Sequence, residues 1–177
     1  MNPWKVAGAA AAYAFALLLA TVVEGAWAWR LSWGGGAPDP VLLVVLATSL
    51  RKGPELGAVV GFAGGFFQDL AGGGPLGMVA LSKAAVGMAA GTLGQALALE
   101  GSWAAAALAA SASVAAKLLE LALAWLVGDL TPAWAPWVRG VAVTACHNAL
   151  LAALVFAGVR RARRWLGSPR PGGVPEA

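Results

Sequence analysis

Glu24, Asp69, Lys83, Lys117, Glu120 and Arg139 stand in or beside long apolar stretches, and they are the residues whose types could do chemistry. Three are acids and three are bases. Each is expensive in apolar surroundings, so each is expected to have a reason for being there. A balanced set suggests ion pairs that neutralise one another inside a helical bundle; the functional alternative is an outward-facing ligand pocket or a polar seam for a partner's helix. Lys117 and Glu120 are three apart and share a helix face with Ala106, Ala110, Ser113 and Ala124, a stripe expected to face the bundle interior. Gly140, Thr144, Asn148 and Ala152 make a similar face, with His147 one step aside.

Other chemistry lacks its parts. His147 is the single histidine, which removes two-histidine metal sites and facial triads. No nucleophile elbow accompanies it, and a lone histidine beside Asn148 reads as a hydrogen-bonded core residue. The glycine run at Gly72, Gly73 and Gly74 leads into Pro75 without a Gly-Lys-Ser or Gly-Lys-Thr ending, so it reads as a loop and not a phosphate cradle. A single cysteine, Cys146, excludes an internal disulfide and reads as a small packing residue. Neither an enzyme nor a cofactor is indicated.

The elements that must hold these residues are apolar blocks. Of the 177 residues 60% are hydrophobic, and charge gathers in the short segments between blocks. A bilayer core of about 30 Å needs roughly 20 helical residues. Residues 6–29, 76–99, 103–127 and 135–159 meet that length. Two shorter runs, 40–50 and 56–70, meet at Arg51, Lys52, Gly53 and Pro54. A re-entrant hairpin would sink Arg51 and Lys52 at roughly 2.5–3.5 kcal/mol each, so two spans are preferred. The expectation is an all-α integral membrane protein, a six-helix transmembrane bundle in one domain over 1–164, with a disordered cytoplasmic tail over 165–177.

Both termini are expected to be cytoplasmic, because that arrangement puts Lys5, Arg51, Lys52, Arg160, Arg161, Arg163, Arg164 and Arg170 inside and leaves Arg30 and Arg139 outside. Trp4, Trp29, Trp33, Trp103, Trp125, Trp134, Trp137 and Trp165 fall near span ends, where an indole prefers the headgroup layer. The net charge of +4 and pI near 9.8 then describe a basic collar facing lipid, not a nucleic-acid surface. The first block is longer than a signal-peptide core and is kept as an uncleaved span.

Small residues mark where helices approach. Gly8, Ala12, Ala16 and Ala20 recur every four positions, as do Gly57, Gly61 and Gly65, while Gly87 and Gly91 share a stripe with Lys83. Such faces serve packing within the bundle or docking of a partner's helix.

Three segments resemble the rod shape-determining protein MreD family: Pro38-Asp39-Pro40 leading into 41–50, the glycine-rich run 57–77 with its Gln-Asp and Pro-Leu-Gly, and 144–164 with Asn148 before an apolar run and arginines. The resemblance implies a non-enzymatic scaffold of the bacterial cell-elongation machinery in the inner membrane. It would bind MreC and link MreB to the peptidoglycan synthase RodA and penicillin-binding protein 2. Gly57, Gly61, Gly65, Asp69, Gly74, Pro75, Gly77, Gly87, Gly91 and Asn148 are expected to form helix-packing or partner surfaces, with the 57–77 unit decisive within this resemblance; from their own positions Glu24, Lys83, Lys117, Glu120 and Arg139 are expected to form an intramembrane charge cluster. An alternative is the substrate-binding membrane subunit of an energy-coupling-factor vitamin or metal importer. Those subunits are also six-helix proteins of this size, and the Gly8 ladder resembles their docking face.

Overall fold

The computed structural model describes residues 3–31, 35–72, 75–97, 102–128 and 133–167. These form six α-helices and no strand: α1 Pro3–Leu31, α2 Pro40–Lys52, α3 Pro54–Gly72, α4 Met78–Leu97, α5 Ser102–Leu126 and α6 Trp134–Gly167. The helices break where the sequence offers caps. Asp39 accepts a hydrogen bond from the Leu42 amide at 2.8 Å and Pro40 opens the first turn of α2, the pairing expected at a helix start. At the other end Gly53, with φ of 95°, ends α2 by donating to the Ser49 carbonyl, and Pro54 opens α3 at once. A left-handed backbone followed by proline forces the chain to turn within two residues.

At about 1.5 Å per residue the 13-residue α2 is roughly 20 Å long. It is the shortest helix and the central one, packing against all five others. Val41 and Val45 join Leu17, Ala20 and Val60 in one core with α1 and α3. Leu42 and Leu46 join Val86, Ala90, Ala109 and Ala152 in a second core with α4, α5 and α6. A helix apolar all round suits that position.

Around this hub, α3 and α4 form the tightest pair. A Cβ on Gly57 would strike Ser49 and the Gly87 carbonyl, one on Gly61 the Lys83 carbonyl, and one on Gly65 the Ala80 Cα at 2.5 Å. Gly91 meets Pro54 in the same way. The spacing of four in each helix keeps these positions on one stripe, so the two backbones run in contact.

Size and polarity are sorted in the reverse of a soluble protein. Lys83, Ser49, Ser82, Ser113 and Asn148 are buried, while Phe15, Val22, Leu150 and Leu154 lie more than half exposed. Among the described residues, Ser102–Leu126 and Trp134–Ala162 are long and apolar enough to cross a bilayer.

Three details differ from the sequence expectation. The buried stripe of α5 is Ala105, Ala109, Ala112, Ser113 and Ala116, so the helix is rotated and Ala106 and Ala110 are half-buried. Cys146 is exposed and not packed inside, since the outer surface is as apolar as the interior. Finally, α6 continues through its arginines to Gly167, three residues into the segment expected as tail; arginine is a good helix former. The remainder of that segment, 168–177, lies outside the described residues.

Candidate functional site

The N-terminal end of α2 is where the helices exchange polar contacts. The segment before it lies on α6: a Cβ at Gly36 would meet the Gly140 carbonyl and the Thr144 hydroxyl. Only glycine lets the chain come this close, and it delivers Asp39 into the bundle. The Asp39 amide donates to Asn148 Oδ1 at 2.8 Å. That acceptance orients the Asn148 side chain, whose Nδ2 then donates to Ser113 Oγ at 2.8 Å, and the Ser113 hydroxyl donates in turn to the Ala109 carbonyl at 2.7 Å.

The Asp39 carboxylate does three jobs. Oδ1 caps α2 through Leu42 and receives Gln68 Nε2 at 3.4 Å. Oδ2 pairs with Lys83 Nζ, whose side chain is 1% exposed. Gln68 Nε2 also donates to Glu24 Oε2. Glu24, Asp39, Gln68, Lys83, Ser113 and Asn148 come respectively from α1, the start of α2, α3, α4, α5 and α6, so every helix supplies one member. A buried ammonium must be paired and hydrogen-bonded to be tolerated, and this arrangement meets that requirement for Lys83.

Asp69 fulfils a second local role. From the last turns of α3, at 4% exposure, it accepts from the amides of Gly77 at 2.9 Å and of Val79 and Ala80 at 3.1 Å. Those groups open α4 and have no partner within the helix. A carboxylate there also meets the positive end of the helix dipole. Gly77, with φ of 98°, makes the turn that aims them; Pro75 is exposed, and Gly74 lies outside the described residues.

The expected charged residues divide. Glu24 and Lys83 belong to one network, bridged by Gln68 and Asp39. Lys117 and Glu120 pair with each other at 2.6 Å along the edge of α5. Arg139 is exposed at the start of α6, beside Gly35. Sequence reasoning missed Asp39 and Gln68 as members. The signal was present: a lone lysine in an apolar helix requires an acid, and Asp39 between two prolines heads the neighbouring apolar run. Among the described residues His147 Nδ1 is buried with no partner, so at that nitrogen the hydrogen bond expected of a core histidine is missing.

Such a network stores no nucleophile beside a base, and among the described residues no three His, Cys, Asp or Glu side chains gather to hold a metal. It fixes helix positions. With Lys83, Ser113 and Asn148 turned in and large apolar side chains such as Phe15, Val22, Leu150 and Leu154 turned out, the molecule is a helical membrane protein. The family model of the rod shape-determining protein MreD matches residues 9–138, and the chain belongs to that family. The match ends before the 144–164 segment, so Asn148 lies outside it. No curated protein and no solved structure matches the chain.

Proposed function

We propose that this protein is a six-span scaffold of the cell-elongation machinery, with both termini in the cytoplasm, that binds MreC and joins MreB to RodA and penicillin-binding protein 2. Membership of the MreD family gives the role in rod-shape determination. The observation that carries the rest is the six-helix network around Asp39 and Lys83. Polar groups that pair with one another within the bundle fix its helices relative to one another, with Gln68 Oε1 left buried and without a partner among the described residues. The outer apolar faces, with Phe15 and Val22 on α1 and Leu150 and Leu154 on α6, are then held as rigid surfaces for partner helices. Six spans fit the bundle, because the short α2 touches each of the other five helices and buries Val41, Leu42, Val45 and Leu46 against them.

The test is mass spectrometry of what co-purifies with the tagged full chain from native membranes in mild detergent. MreC, RodA or penicillin-binding protein 2 is expected in the wild type and reduced in Lys83→Met. Recovery of paired ATPases with a transmembrane coupling subunit would replace this reading with the energy-coupling-factor importer; against that alternative, on the proposed docking ladder Ala12 is exposed but Ala20 is buried against the bundle.

A further inference from the structure

At the end of α2 opposite Asp39, the bundle does not close. A cavity of about 380 Å³ separates α2 from α5 and α6, walled by side chains such as Leu43, Leu46, Leu108, Val155 and Phe156. Its volume falls within the range of about 300–1,000 Å³ typical of small-molecule sites. Arg51 and Arg160 stand in its wall as the charged members of an otherwise apolar lining. Both are exposed, and among the described residues neither forms an ion pair. Arg160 reaches across to donate to Ser102 Oγ at 2.6 Å, which ties its guanidinium to the start of α5 beside the cavity.

We propose that this cavity seats one hydrocarbon chain of an anionic membrane phospholipid, with Arg51 and Arg160 holding its phosphate. The two halves of the site match the two halves of that ligand. Water gains little from an apolar wall, because it needs polar partners to remain, whereas a hydrocarbon chain restores the dispersion contacts that a void forfeits. A guanidinium forks onto phosphate oxygens with two parallel hydrogen bonds. Arginines between helix ends at a membrane surface form basic pockets of the kind that take lipid headgroups. The alternative source of the same charge is free phosphate, which would leave the apolar cavity unused. Arginines that merely snorkel to the interface require no seated lipid and no occupied cavity.

The experiment is native mass spectrometry of the purified full chain after exchange into detergent carrying phosphatidylglycerol or phosphatidylcholine with the same acyl chains. Wild type is expected to retain one phosphatidylglycerol in preference to phosphatidylcholine, by roughly thirtyfold for two arginines. Arg51→Ala with Arg160→Ala should abolish the preference. Ala47→Trp, which fills the cavity and keeps both charges, should lose retention of the lipid; Val155→Trp at the wall provides a second obstruction if the first does not fold. Equal retention of the two lipids by wild type, unchanged selectivity in the double arginine variant, or unchanged retention in a folded tryptophan variant would each overturn the proposal. So would displacement of the lipid by millimolar inorganic phosphate.

Discussion

The two ends of α2 are held by opposite means. At Asp39 the helix is stitched to α6 through Asn148, to α4 through Lys83 and to α3 through Gln68. At Leu50 and Arg51 it stands off from α5 and α6 across a cavity. Hydrogen bonds have direction, so the first end is specified to a single geometry. Apolar contact has no direction, so the second end tolerates space. In one 13-residue helix the bundle therefore combines a fixed point with an adaptable one.

The contrast predicts a gradient of mutational cost. Gly61→Leu places a side chain against the α4 backbone at Lys83, where neither helix can yield without dragging the network with it. Loss of the assembled bundle is expected, read as aggregation in size-exclusion chromatography; a monodisperse protein with wild-type unfolding would contradict the packing described. Lys83→Met strips the buried carboxylate of Asp39 of its cation and should cost about 3–5 kcal/mol in denaturant unfolding. Adding Asp39→Leu to that variant should recover part of the loss, which distinguishes a stranded charge from lost packing. Asn148→Leu removes two interhelical hydrogen bonds. Such bonds average about 0.6 kcal/mol each in membrane proteins, so the expected loss is about 1–2 kcal/mol, smaller than that of Lys83→Met. At the opposite end Ala47→Leu, facing the cavity, should change stability by less than about 1 kcal/mol. An Ala47→Leu cost equal to that of Lys83→Met would erase the distinction between the ends.

Much of this arrangement was legible in the sequence, and the unread part has a physical reason. The turn at Gly53 and Pro54 and the glycine spacing of four are local features, and local features survive in a linear chain. The pairing of Asp39 with Lys83 joins residues 44 apart, and periodicity within either helix carries no record of it. The face of α5 was misplaced because alanine occupies both its buried and its half-buried sides. In a protein whose surroundings are as apolar as its core, hydrophobicity loses its power to tell inside from outside, and Cys146 was misread for the same reason.

Asp69 and Asp39 also mature on different clocks. Asp69 takes its last amide from Ala80, 11 residues on, whereas the Asp39 amide waits for Asn148, 109 residues on. At about 5–20 residues per second of synthesis, that wait is roughly 5–20 s. The α3–α4 hairpin is complete in the nascent chain while the mount for α2 is still unfastened. The helix that leaves the ribosome after the other five is the one that fastens it.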